Sequence, residues 1–178
     1  PNSRDILQRL VRKDLAAAAF KFFDVTETAV GYAPSIVTRA GFTGELGYEI
    51  WTTPDYFASL FDDLREAGQD RGMTLFGGRA LSSLRLEKNY GSFNKDFRPD
   101  YTPGETGLDR FVDFGKPAFI GREAALAEHE SGPQRRFVVM EVEAQDADVV
   151  GYESIMQDGK AVGYVTSGAY GHCVDRSL

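Results

Sequence analysis

The chain has 178 residues, enough on the usual scale of about 100–200 residues per domain for one large domain, or one domain and part of another. Hydrophobic residues make up 42% and charged residues 26%, with 13 Phe and 8 Tyr, which excludes global disorder. A net charge of −7 with no basic patch argues against nucleic-acid or anionic-membrane partners, and apolar stretches such as Leu15 to Phe23 fall far short of the roughly 20 residues needed to span a bilayer.

Ser3 to Leu10 is expected to form a short helix behind a capping serine, with Ile6, Leu7 and Leu10 at helical spacing. Ser35 to Phe42 and Tyr48 to Thr52 read as strands joined by Thr43-Gly44-Glu45-Leu46-Gly47. Thr53 and Pro54 supply a cap and a first-turn proline for a helix whose stripe is Tyr56, Phe57, Leu60, Phe61 and Leu64, ending before Gly68. A further helix is expected from Gly78 to Tyr90, then a mostly irregular stretch from Gly91 to Thr106, then a helix from Ala118 to Glu130. Ser131-Gly132-Pro133 is a natural boundary. Beyond it, Arg136 to Val142, Glu153 to Gln157 and Ala161 to Ser167 read as strands, the last two joined at Asp158-Gly159. The expected architecture is an α+β region over residues 1–132 and the start of an all-β unit over 133–178, whose three strands are too few to stand alone.

One cysteine and two histidines give neither an internal disulfide nor zinc-ligand spacing, which points to a cytosolic or organelle-matrix location. Pro1-Asn2-Ser3-Arg4-Asp5 has neither an initiator Met nor a secretion signal, so the chain reads as a piece of a longer one. His172 and Cys173 are sequence neighbours, which on an extended chain face opposite ways and make a poor Cys–His dyad.

Two residues stand out chemically. Glu49 is the acidic member of an apolar strand and points opposite to Tyr48 and Ile50, toward either solvent or a cavity, where its carboxylate would suit the two donors of an amino-pyrimidine edge. Arg79 lies in a helix's first turn, on the face of Leu86 and Tyr90, where the dipole disfavours a cation and something anionic should compensate. That partner is either a structural carboxylate or a ligand. Glu45 is expected to be a loop residue that bonds backbone N–H groups.

Arg39-Ala-Gly-Phe-Thr-Gly-Glu-Leu-Gly-Tyr-Glu-Ile50 resembles the R-x-x-Y/F-T-G-E-x-G-x-E-[IVL] signature of the aminomethyltransferase family, the folate-binding T-protein of the glycine cleavage system and its relatives. Four more segments agree in order: Gly78 to Glu87, Thr102 to Leu108, Lys116 to Ala124, and Gly163 to Gly168. Leu84-Arg-Leu-Glu-Lys88, Gly107-Leu-Asp-Arg-Phe-Val112 and Gly151-Tyr-Glu-Ser-Ile-Met156 with Asp158-Gly-Lys-Ala-Val162 look most like the C-terminal half of dimethylglycine and sarcosine dehydrogenases.

The resemblance implies part of a T-protein-like folate-binding fold followed by the start of a C-terminal β-barrel. It implies tetrahydrofolate as the one-carbon acceptor, a methylated amine as donor, and the rest of the parent chain as partner, in a bacterial cytoplasm or the mitochondrial matrix. Glu49 would hold the pterin, Arg79 would face the folate, and Tyr90 would line the same cavity. The family's catalytic aspartate would precede Pro1, so this piece is expected to be inactive alone. FAD would belong to an N-terminal domain outside the chain; no G-x-G-x-x-G is present, Gly77-Gly78 being followed by Arg79. Two alternatives of the same fold are an S- or O-demethylase making methyl-tetrahydrofolate and a non-enzymatic folate-binding protein of iron–sulfur assembly. The second carries K-G-C-Y-x-G-Q, where this chain has Glu87-Lys88-Asn89-Tyr90-Gly91.

Overall fold

The computed structural model describes residues 2–178, which divide into two compact units, the first ending at Lys88 and the second running Asn89–Leu178. The first is built on a three-stranded antiparallel sheet, β1 (Val25–Val30), β2 (Ala33–Thr38) and β3 (Glu49–Thr52), in that spatial order. Helix α1 (Ser3–Gln8) precedes the sheet; α2 (Phe57–Gly68) and α3 (Gly78–Leu86) follow it. Alternation decides which strand residues reach the core: Val30, Ala33 and Val37 are buried, and Ile50 packs against them. Leu7 of α1, Leu60 of α2, and Val11, Leu15 and Phe20 from the connection between α1 and β1 complete this core. At the end of α1, Arg9 donates a forked pair of hydrogen bonds to Asp70 at 2.6 and 2.9 Å and a third to the Ala67 carbonyl at 2.7 Å, which fixes α1 to the end of α2.

Several sequence expectations are corrected here. Ser3 does not cap α1; Asn2 holds the cap position, and the Ser3 hydroxyl instead donates to the Leu46 carbonyl at 2.6 Å. Strand β2 stops at Thr38 because Arg39 turns to bond the loop before β1: its N–H reaches the Asp24 carbonyl, and its own carbonyl accepts from Phe23. Thr53 and Pro54 open a single 3₁₀ turn, Pro54–Tyr56, with α2 proper starting at Phe57. Of the α2 stripe, Leu60 is buried, Leu64 packs against the core, and Tyr56, Phe57 and Phe61 stay exposed.

In the second unit α4 (Pro103–Thr106) and α5 (Arg122–Ser131) precede two small antiparallel ribbons, β4 (Ser154–Gln157) with β5 (Lys160–Tyr164), and β6 (Tyr170–Gly171) with β7 (Arg176–Ser177). Asp158 and Gly159 both take positive φ, 49° and 75°, as a two-residue hairpin turn requires. The strand expected over Arg136 to Val142 does not form. Phe137 N–H bonds the Glu105 carbonyl at 2.7 Å and Val142 makes a lone bridge to Ser177, while Val138, Val139 and Met140 are exposed without a ladder partner. No helix among the described residues is long and apolar enough to cross a membrane.

The Thr102-Pro-Gly-Glu105 segment turns out to be a helix start. Thr102 accepts from Glu105 N–H, Glu105 accepts from Thr102 N–H, and Pro103 fills the first turn of a four-residue helix. Arg135 adds a forked pair to the Glu105 carboxylate at 2.8 and 3.2 Å. The Arg135 guanidinium, and then the Thr102 N–H, hold the Glu105 carboxyl below the usual carboxylate range. A lowered folded-state pKa gives stability that is complete above the unfolded value of about 4.3 and is lost as pH falls through the folded value. In thermal melts from pH 6 down to pH 3, Glu105→Gln is therefore expected to start lower and to fall less steeply with acid than the parent. Parallel curves would exclude Glu105 from the acid limb.

Candidate folate-facing site

The signature segment is mostly consumed by the fold's own bonding. Arg39 donates to the Phe20 carbonyl at 2.7 Å. Phe42 lies under the Arg85 guanidinium, 5.9 Å from ring centroid to Cζ. Thr43 Oγ1 accepts from Glu45 N–H, and Gly44 sits at φ 76°, where an added Cβ would meet the Lys88 stem at 2.3 Å. Glycine is favoured there by the positive φ, and an added Cβ would also have to displace the Lys88 side chain. Tyr48 stacks on Phe20 at 6.3 Å and 8°; its hydroxyl is buried with no hydrogen-bond partner among the described residues. Ile50 faces the core.

What remains is the side chain of Glu49, together with Glu45 at the loop. Glu49 opens β3, registers opposite Thr38, and is exposed on the face away from the core, as alternation predicts. The ladder with β2 fixes the Glu49 backbone, whereas Glu45 sits on a loop.

Arg79 occupies the first turn of α3 and is exposed, with no ion pair to a neighbouring carboxylate among the described residues. The structural-carboxylate partner is thus not supplied from within the described chain. Burial along α3 grows toward its C-terminus: Arg79 and Ala80 are exposed, whereas Ser83, Arg85 and Leu86 are buried. The helix ends at Leu86, so Tyr90 lies beyond it, exposed, at the start of the second unit. The expectation of one helical face carrying Arg79, Leu86 and Tyr90 is corrected accordingly.

Sequence reasoning gave no role to Arg85, which is almost fully buried and packs on Phe42 of the signature loop. The signal was available: an arginine between Leu84 and Leu86 can stay charged in a core only if other groups receive it. A cavity of about 190 Å³ in the second unit is lined by residues that include Asp109, Phe114, Glu128 and His129, and none of Glu49, Arg79 or Tyr90 is in its wall. The His172 ring packs edge-on against Tyr170 at 5.1 Å, and Cys173 is exposed.

The Glu49 side chain points outward from β3 and the Arg79 guanidinium is exposed in the first turn of α3, so an acceptor pair and a planar cation are both open to a ligand. Family comparison agrees with the signature. The profile of the GCVT N-terminal domain matches residues 1–116, and that of the glycine cleavage T-protein C-terminal barrel domain matches residues 135–178. The chain belongs to the glycine cleavage T-protein, or aminomethyltransferase, family.

It is 37% identical to human mitochondrial dimethylglycine dehydrogenase over 179 residues, spanning all of this chain and 21% of that protein. It is 33% identical to an aminomethyltransferase of Caldanaerobacter subterraneus over 178 residues, all of this chain and 47% of that protein. The crystal structure of glycine cleavage system aminomethyltransferase T from Bartonella henselae superposes with a TM-score of 0.74 at 27% identity, over 98% of this chain and 46% of that one. The chain thus spans between about a fifth and a half of the length of these relatives.

Proposed function

We propose that this chain is the folate-binding part of a tetrahydrofolate-dependent one-carbon transferase, in a longer protein similar to a dimethylglycine or sarcosine dehydrogenase. The observation that carries this reading is the state of the signature loop. Apart from Glu45 at the loop, its other polar and aromatic members are bonded or packed into the fold, while the Glu49 carboxylate is presented, unpaired, on β3.

In this reading Glu49 accepts two N–H bonds from the amino-pyrimidine edge of the pterin. Arg79 supplies the positive charge facing the folate, and Tyr90 lines the cavity. Glu49 and Arg79 bring the chemistry such a ligand needs, one acceptor pair and one planar cation, both exposed. Their task is orientation. A reactive iminium carbon, or a formaldehyde equivalent, derived from a methylated amine is captured by the folate nitrogen, and holding the two together away from water supplies most of the rate. The family aspartate and any FAD-bearing domain belong to parts of the longer protein outside this sequence. The folate-binding region is taken to extend to residue 132 and the barrel to begin at 133. Matches of the two family profiles to residues 1–116 and 135–178 support a division in that interval. A mitochondrial human relative and a bacterial aminomethyltransferase are in keeping with a mitochondrial matrix or bacterial cytoplasmic setting.

The test is Glu49→Ala in the full-length protein. Losing hydrogen bonds to a charged group costs about 1.5–3 kcal/mol, so the tetrahydrofolate Kd should rise about 10- to 150-fold in calorimetric titration. An unchanged Kd refutes the assignment.

A further inference from the structure

Residues 39–48, between β2 and β3, form neither helix nor strand, so the loop that leads into Glu49 keeps its shape through the groups packed against it. The end of α3 supplies two of these. The Arg85 guanidinium lies over the Phe42 ring, 5.9 Å from its centroid, and the Lys88 stem runs so close to Gly44 that a Cβ there would fall 2.3 Å from it. A cation is favoured in the last turn of a helix, so the dipole that works against Arg79 works for Arg85. The two arginines stand about 9 Å apart along the axis of α3 and about 240° apart around it, which turns Arg79 outward and Arg85 into the fold. Phe42 is itself 37% exposed, so its own burial holds the loop only weakly.

We propose that Arg85 is a positioning residue: by stacking on Phe42 it seats the loop so that Glu49 begins β3 where its carboxylate can meet the ligand. This rests on the folate reading of Glu49. Arg85 is almost fully buried, so it acts through Phe42 and not by touching the ligand. A planar guanidinium suits the task, because it can lie flat on a ring while its N–H groups donate in its own plane, which an ammonium cannot do. Thr38 and Glu49 form the first rung of the β2–β3 ladder, at the mouth of the loop, where fraying starts. A seated loop keeps that rung closed. A loose one lets Glu49 sample other directions, and binding must then order it at a cost in affinity.

The test is a double-mutant cycle on tetrahydrofolate binding by the full-length protein, with Phe42→Leu and Glu49→Ala made singly and together, and denaturant unfolding confirming that each is folded. Phe42→Leu keeps an apolar side chain at a half-exposed position and removes the ring face. Loss of a cation–π contact corresponds to a factor of up to about 30, so Phe42→Leu should raise the Kd several-fold. Phe42→Tyr, which keeps the ring, should bind within about twofold of the parent. Arg85→Met should match Phe42→Leu, which carries the test alone if the buried substitution does not fold. In the Glu49→Ala background Phe42→Leu should cost nothing further, because the group that the loop positions is already gone. Equal losses with and without Glu49 overturn the proposal, since the ring then touches the ligand itself or supports only the fold. So does a Phe42→Leu Kd equal to that of the parent, or a Phe42→Tyr Kd as weak as that of Phe42→Leu. An unchanged Kd for Glu49→Ala overturns the folate reading, and leaves Arg85 nothing to position. The two failures are told apart by which single variant is silent.

Discussion

Phe20→Ala should lower stability by about 3–5 kcal/mol, the cost of emptying a fully buried aromatic position that cannot collapse. Phe20 is 2% exposed and sits within the cluster of Leu7, Val11, Leu15, Val30, Val37 and Leu60. Its ring stacks on Tyr48, and its carbonyl takes the Arg39 guanidinium. The same residue therefore supports the core and both ends of the signature segment. Denaturant unfolding should show the midpoint drop, and folate binding should weaken beyond what the unfolded fraction explains, because Tyr48 immediately precedes Glu49, the first residue of β3. A loss of under about 1 kcal/mol would mean that Phe20 is not packed as described.

Asp96 comes next in size. It is 1% exposed, and its carboxyl accepts from Ser92 N–H at 2.7 Å, Thr166 Oγ1 at 2.5 Å and Ser167 Oγ at 3.0 Å. These bonds tie the loop after Tyr90 to the Thr166-Ser167 turn, all within the second unit. Asp96→Ala strands these donors at a cost of about 1–3 kcal/mol for each one that water cannot reach. Asp96→Asn keeps the shape but turns an N–H₂ toward donors, and should recover only part of the loss. The measurement is the chemical denaturation midpoint of the three proteins. Recovery to the parent value by Asn would show that packing, and not the acceptor pair, is what matters.

Much of the first unit is legible in its residues. The strand pair around Thr43 to Gly47, the helix after Pro54 and the outward direction of Glu49 follow from alternation, turn chemistry and helical spacing. The Asp158-Gly159 turn is equally plain, because both residues tolerate the positive φ the hairpin needs. Strand β1 is less so. Val25-Thr-Glu-Thr-Ala-Val30 alternates, but its outer face mixes Val25, Glu27 and Ala29, and only pairing with β2 reveals it. Val138 to Met140 fail in the opposite way: β propensity is high, but a strand needs a ladder, and Phe137 and Val142 spend their N–H groups elsewhere.

The outward direction of Glu49 was legible in the sequence, and the exposure of Arg79 only partly so. Helical periodicity assigns Arg79 a face but not its burial, since the first turn of α3 extends beyond the packed end of the helix. Tyr90 was placed on a helix that stops short of it at Leu86. The capping role of Thr102 and Glu105 was written in the Thr-Pro-Gly-Glu order, although four residues are too few to show a periodic stripe.

The central claim is that the Glu49 carboxylate grips the amino-pyrimidine edge of a reduced folate. A binding cycle tests it most directly, with full-length protein and its Glu49→Ala variant each titrated with tetrahydrofolate and with an analogue lacking the pterin 2-amino group. If the carboxylate meets that edge, Glu49→Ala weakens tetrahydrofolate binding about 10- to 150-fold and weakens binding of the analogue, which keeps only the ring N–H, by clearly less. Equal losses for both ligands would contradict the account, because the carboxylate would then be acting on something other than the pterin edge.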